Sequence, residues 1–225
     1  MAVRRTPRPS AAIEDYAKAI YALERRGDGA VTTTALAHRL GVTAGSASGM
    51  VRRMAQDGLV SHEPYRGVAL TDAGRDIALE ILRHHRLLEL FLADLGVPWD
   101  RVHDEAEILE HHLSEELEAL IAARLGDPTH DPHGDPIPTV DLTIDEGRTE
   151  ALSDLEVGAR GSFVRVSDGD PGMLRFLGER DIAPGDAFEI VERQPFGGPV
   201  VVRFPAGTHA LGAELADVMR VEVAS

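Results

Sequence analysis

Apolar positions along the first seventy residues fall into three helical stretches and a hairpin. Ile13, Tyr16, Ala17, Ile20, Tyr21 and Leu23 recur at three- and four-residue spacing and predict a helix over about 13–25, closed by Gly27 and Gly29. Thr32-Thr33-Thr34 offers an N-cap for a short helix whose inner face is Leu36, Ala37 and Leu40. Gly41 breaks that helix and Val42 fills the corner. Thr43 then caps a helix to about residue 57, with Met50, Val51 and Met54 inward and Gly58 as its stop. Residues 59–63 and 67–70 read as two short strands joined by Pro64-Tyr65-Arg66. Thr71 caps a longer helix over about 72–95, whose Ile77, Ile81, Leu82, Leu88, Phe91 and Leu92 occupy more than one stripe. A helix facing both its own core and a partner subunit needs such a surface. A further helix over about 100–112 and one from Ser114, with Leu117, Leu120, Ile121 and Leu125, complete the helical part. Residues 139–157 are polar and turn-rich. Strand-like segments at 162–166, 188–192, 200–204 and 218–223, with a short helix from Pro171 to Glu179, predict a small barrel.

Composition narrows the chemistry. The 225 residues include no cysteine, which excludes a disulfide scaffold, a zinc finger, an iron–sulfur site and a cysteine nucleophile. Apolar runs fall short of the ~20 residues of a membrane span, and the first thirty residues lack a signal-peptide core. A cytoplasmic protein without a membrane partner is expected. The net charge of -15 disfavours nucleic acid as a partner until it is resolved along the chain. Residues 1–75 carry a net +4, residues 76–140 a net -11 and residues 141–225 a net -8. The first segment suits a polyanion and the second suits cations. Seven of the ten histidines lie between His84 and His133, inside the acidic part.

Helix, short helix, tight turn, helix and hairpin is the order of a winged helix-turn-helix. The start of its second helix, from Thr43 through Ser46 and Ser48, is small and hydroxylic, a surface that approaches a major groove closely. Arg39, Arg52, Arg53 and Arg66 surround it with charge for phosphates. Taken singly, Thr43 and Ser46 are ordinary helix-start residues; the whole pattern of about 45 residues carries the reading.

In the acidic segment, His85 and Glu89 are four apart and share a helix face. Glu107, Glu110 and His111 fall on one side of the next helix, with His103 one turn before Glu107. Acidic helices produce Glu-x-x-Glu-His by accident, so a solvated face explains this spacing as well as a metal site does. The His-Glu-x-x-His signature of zinc hydrolases is absent.

The order of these pieces is more specific. Glu14-Asp15-Tyr16, the winged helix-turn-helix, His85-Arg86-Leu87-Leu88-Glu89, Val102-His103-Asp104-Glu105-Ala106, Glu107-Ile108-Leu109-Glu110-His111 and Gly134-Asp135-Pro136-Ile137-Pro138 together resemble the diphtheria-toxin-repressor family of divalent-metal-activated bacterial transcriptional repressors. The resemblance spans nearly the whole chain and is strongest from 14 to 138. It implies a mainly α fold with small β parts: a winged helix-turn-helix domain (1–75), a helical metal-binding and dimerisation domain (76–140), a linker (141–157) and an SH3-like, FeoA-like domain (158–225). It further implies a non-enzymatic repressor that binds double-stranded operator DNA as a homodimer, without an organic cofactor.

Carried over, the family's primary metal site falls on Asp15, Glu107, Glu110 and His111, and its ancillary site on His85, Glu89 and His103. The iron-responsive branch has methionine and cysteine where this chain has Asp15 and Glu107, whereas the manganese-responsive branch has Asp and Glu. Carboxylate oxygens suit hard Mn²⁺, so Mn²⁺ and control of manganese-uptake genes are expected, with Fe²⁺ as the alternative and Zn²⁺ or Co²⁺ binding in vitro. Lys18 stands where small manganese regulators place the glutamate of a paired-metal site, which favours separate primary and ancillary sites. In longer relatives the SH3-like domain reaches the ancillary metal; the matching positions here are Asp170 and Met173, of which Asp170 is the expected ligand. Competing classes are a metal-independent winged-helix regulator and a metallohydrolase. The first binds DNA equally in chelator, and the second turns over a substrate.

Overall fold

The computed structural model describes residues 9–25, 30–63 and 67–224. The chain forms two compact units, one from Met1 to His84 with Pro138–Thr143, the other His85–Ile137 with Ile144–Ser225.

The first unit contains α1 (Ala11–Arg25), α2 (Thr33–Arg39), α3 (Ala44–Gln56), β1 (Val60–Glu63), β2 (Gly67–Leu70) and the opening turns of α4 (Asp72–Asp94). The start signals read from sequence are made by hydrogen bonds. Thr32 Oγ1 accepts from Ala35 N–H and Thr43 Oγ1 from Ser46 N–H, both at 3.1 Å. Ile13, Tyr16, Ala17, Ile20 and Tyr21 of α1 are buried, as are Leu36 of α2 and Val51 and Met54 of α3, which orients the three helices. β1 and β2 pair antiparallel from Val60–Leu70 to Glu63–Gly67, forming the wing. Arg66, expected beside DNA, lies outside the described residues.

The second unit holds the rest of α4, then α5 (Val102–Leu109) and α6 (Glu115–Arg124). The sequence predicts one helix to residue 112; instead α5 ends at Leu109 and Glu110–His112 tighten into a 3₁₀ turn. The cause lies downstream. Leu113 and Ser114 are extended so that Ser114 Oγ caps α6 at Leu117 N–H, and the α-helix cannot continue into that cap. Leu87, Leu88, Ala106, Leu113, Ile121, Ala122 and Ile137 form the helical core, whereas Ile108, Leu117 and Leu120 remain exposed.

A sheet follows, from β3 (Glu150–Ala151), β4 (Arg160–Val166), β5 (Ala187–Arg193), β6 (Val200–Phe204), β7 (Gly207–Leu211) and β8 (Met219–Val223), with α7 (Pro171–Gly178) and α8 (Ala213–Val218) between strands. Its order is β3-β8-β4-β5-β6-β7, and every pairing is antiparallel. Phe163, Leu174, Leu177, Ile190, Val202 and Leu211 fill its core. β3 falls within the segment read as linker, and β7 and α8 were not anticipated.

Within this unit the sheet is fastened to the helical part. The residue 131–135 loop runs against β4, with Val166 N–H donating to His133 O at 3.0 Å. Gly134 has φ +87°, and a Cβ there would stand 1.9 Å from Val164 O, so only glycine fits. Arg175 of α7 donates to Asp100 at 2.9 Å, and Trp99 Nε1 lies 2.9 Å from where a Gly178 Cβ would be.

Candidate metal centre

α4 sends His85 and Glu89 from one face into the interior, where both are buried. α5 brings His103 and Glu107, the 3₁₀ turn brings Glu110 and His111, and the turn before α7 brings Asp168. His85 Nε2 lies 3.0 Å from Glu89 Oε1 and 3.1 Å from His103 Nδ1. His103 Nδ1 lies 3.3 Å from the same Glu89 oxygen and 2.9 Å from Asp168 Oδ2. One donor atom from each of His85, Glu89, His103 and Asp168 lies within 4.8 Å of the others. Two imidazoles and two carboxylates converging on one point form a nitrogen–oxygen donor set that fits a divalent transition metal.

His85 also faces the other expected ligand set. Its Nδ1 is 2.5 Å from Glu110 Oε2 and 3.9 Å from Glu107 Oε1, so His85 is hydrogen-bonded to Glu110 and lies near Glu107. His111 Nε2 lies 3.6 Å from Glu110 Oε1. Asp15 sits half-buried on α1, in the first unit.

Electrostatics mark the cluster as well. Burial pushes the Glu89 carboxyl up, but the charge of His85 and polar interactions with His103, His133 and His85 overcome this and hold it well below the usual range. Burial pushes His103 down, yet Asp168 and Glu89 raise it to about 10. Asp168, itself desolvated, is held low by His103. Such opposed shifts at one site are typical of functional centres. A cation held by His85, Glu89, His103 and Asp168 would displace the protons shared within this cluster.

Asp170, expected as the sheet domain's ligand, is not in the cluster. Its Oδ1 accepts from Gly172 N–H at 2.7 Å and Met173 N–H at 3.4 Å, capping α7. The carboxylate that reaches His103 is that of Asp168. A sign was present in Asp170-Pro171, because an aspartate before a helix-opening proline is an N-cap. Sequence reasoning also missed Asp131 and His133, which lie with Glu89 in another group whose donor atoms are within 4.8 Å of one another.

On the recognition helix, Thr43 Oγ1 and Ser46 Oγ are hydrogen-bonded at 2.9 Å and exposed, and Ser48 is half-buried. Arg39, Arg52 and Arg53 are exposed, and Arg53 Nε lies 3.9 Å from Asp57. Such a solvated pair contributes little and leaves the guanidinium available to a phosphate.

A winged helix-turn-helix joined to a helical domain with a His/carboxylate cluster defines a metal-dependent DNA-binding regulator. The chain belongs to the iron-dependent repressor family. Residues 10–68 match its N-terminal DNA-binding domain, residues 71–139 its metal-binding and dimerisation domain, and residues 151–223 the FeoA domain. The chain is 33% identical over 222 residues to the iron-dependent repressor IdeR of Mycobacterium tuberculosis, covering 93% of this chain and 96% of that protein. It is 30% identical over 220 residues to the diphtheria toxin repressor of Corynebacterium diphtheriae, covering 93% and 96%. Among solved structures, a manganese-dependent transcriptional repressor in complex with manganese superposes with a TM-score of 0.88 at 41% identity, covering 94% of this chain and 100% of that one. The chain is thus a metal-dependent transcriptional repressor of this family. Among the described residues no helix is long and apolar enough to cross a membrane.

Proposed function

We propose that this repressor is activated by Mn²⁺ and controls manganese-uptake genes, binding operator DNA as a homodimer. The observation that carries the reading is a donor set without sulfur: His85, Glu89, His103 and Asp168 converge within 4.8 Å, in a chain without cysteine. Hard oxygen donors suit Mn²⁺, with selectivity left to coordination geometry and cellular supply. The similarity to a structure described as a manganese-dependent repressor with manganese supports the same reading. The regulatory site is assigned to Glu107, Glu110 and His111 with Asp15 on the sequence correspondence alone, and the ancillary site to His85, Glu89 and His103 with Asp168.

Exposed Ile108, Leu117 and Leu120 give the dimerisation domain an apolar surface for a second copy. Bound cations also supply positive charge beside a segment of net -11, relieving its repulsion of DNA. A ligand that prefers the DNA-competent arrangement shifts the population by no more than its differential affinity.

A second reading, activation by Fe²⁺, is favoured by the curated relatives, which are named iron-dependent. Fluorescence anisotropy on the chain's own promoter DNA at fixed salt separates the two. Tight binding with Mn²⁺ and none in chelator is expected. A much lower threshold for anaerobic Fe²⁺ moves the protein to the iron reading, and equal binding in chelator removes metal activation.

A further inference from the structure

We infer that Gly45 and Gly49 of α3 are specificity-determining residues for DNA: the absence of side chains at these positions lets the helix backbone come close to base edges, which Ser46 and Ser48 then read. The inference rests on α3 being the helix that enters the groove, and adds to it two residues that donate nothing themselves.

Five glycines lie within the described helices: Gly45 and Gly49 in α3, Gly74 in α4, and Gly172 and Gly178 in α7. Glycine in a helix is unfavourable relative to alanine, because it gives up the most backbone freedom on folding. Three of the five have a reason within the chain. A Cβ at Gly74 would stand 2.0 Å from Leu59 O, one at Gly172 3.0 Å from Asp170 Oδ1 and one at Gly178 2.9 Å from Trp99 Nε1. Gly45 and Gly49 have no such neighbour. A Cβ at Gly45 would come no nearer than 3.9 Å, to Thr43 Oγ1, and one at Gly49 would meet nothing within 4 Å. Neither glycine has a positive φ. The fold accepts alanine at both positions, and helix propensity prefers it. What requires glycine there lies outside the chain.

The direction of the two positions identifies the requirement. Ala47, Val51 and Met54 are fully buried and mark the inner face of α3. At about 3.6 residues per turn, Gly45 and Gly49 fall one turn apart on the opposite side, with exposed Arg52 and Gln56 continuing that face. Ser46 and Ser48 flank the glycines, one on each side. In a chain of net charge -15, α3 carries two arginines and no acidic residue. Its outer face therefore starts bare and hydroxylic and ends cationic, the order that suits base edges first and phosphates next.

Reach explains the glycines. An arginine guanidinium meets a phosphate at the end of a long side chain. A serine hydroxyl is one carbon from the backbone, so it meets a base edge only where the backbone itself is close. The hydroxyl of Ser46 is already held, 2.9 Å from Thr43 Oγ1. Bare backbone between the two serines supplies the close approach, a use to which glycine is suited. An alanine methyl at either position stands between helix and base edge and holds both serines away.

The test uses the full-length protein loaded with Mn²⁺ and, in parallel, with anaerobic Fe²⁺. Duplexes that the wild type selects from a randomised pool serve as specific DNA, and an unrelated duplex of the same length as non-specific DNA. Gly45→Ala and Gly49→Ala are each expected to raise the thermal midpoint and to weaken binding to the selected duplex about 10-fold or more, the scale of a lost base contact. Binding to the unrelated duplex, carried by phosphate contacts, is expected to fall far less, and the salt dependence on the selected duplex to keep its slope. Arg52→Gln and Arg53→Gln are expected to weaken binding to both duplexes and to flatten that slope. If the glycine variants bind the selected duplex as tightly as the wild type, or melt below it, the inference is overturned, while the arginine effects keep α3 in the groove. If neither the glycine nor the arginine substitutions change DNA binding, α3 does not face DNA and the reading beneath the inference falls with it. A wild type that selects no sequence overturns both.

Discussion

Asp168 Oδ2 lies 2.9 Å from His103 Nδ1, so a turn of the sheet domain is paired with α5 of the helical domain. The contact is ionic before metal arrives, since His103 is raised to about 10 and Asp168 is lowered. A cation entering here replaces a proton on His103 rather than filling an uncommitted space.

That pairing separates two aspartates only two residues apart. Asp168→Asn is expected to weaken Mn²⁺ binding at this cluster by about 10–100-fold, a typical cost of disturbing a ligand or its support. Asp170→Asn keeps a good N-cap residue and is expected to leave metal binding unchanged. Isothermal titration of both variants decides, and a larger loss for Asp170→Asn reverses the assignment.

Stability of the metal-free protein is expected to fall as pH rises from neutrality to 10. His103 and His133 are raised from 6.5 to about 10 and about 9, so the folded state holds their protons more tightly than the unfolded chain does. Their contribution is complete below about 6.5 and is lost as pH climbs through the folded values. Thermal unfolding at pH 6, 8 and 10 measures this. A midpoint that is flat or rising across that window contradicts the ionic cluster.

Gly134→Ala and Gly126→Ala form a matched pair. Both glycines have positive φ, but a Cβ at Gly126 meets nothing within 4 Å, whereas one at Gly134 meets Val164 O. Gly126→Ala is expected to cost about 1–2 kcal/mol from backbone conformation. Gly134→Ala adds displacement of the loop from β4 and is expected to cost more. Equal denaturation midpoints argue that the loop does not need β4.

On the proposed regulatory site, Asp15→Asn and Glu107→Ala are expected to abolish Mn²⁺-dependent operator binding while the dimer persists. Anisotropy and size-exclusion chromatography report the two properties separately. Full repression by either variant removes that residue from the switch.

For the apolar surface, Leu120→Glu places a charge on a side chain that is 62% exposed in the single chain. If a second copy covers it, dimerisation weakens steeply while the fold survives. Sedimentation at several concentrations measures this, and an unchanged dimer locates the interface elsewhere.

Local chemistry made much of the fold readable. Thr32, Thr43 and Ser114 announced three helix starts, and Gly41 and Gly58 marked ends. His85 and Glu89 were readable because helical spacing puts them on one face. β7 and α8 escaped because each is only five or six residues long and is stabilised by pairing or packing with distant strands rather than by its own pattern. Asp131 and His133 escaped for a related reason. Their positions depend on a loop fitted against β4, some thirty residues further along, and on the main-chain carbonyl of Trp99. The 3₁₀ turn at Glu110 was set by a cap that begins after it.

Trp99 is the chain's only tryptophan, and its indole lies between the His133 ring and the end of α7. Its emission is therefore a single-site optical signal, free of background from other indoles, placed where the helical and sheet domains meet. Any change in the charge of His133 or in the seating of α7 is written into that signal, so the protein carries its own label for following the kinetics of its response.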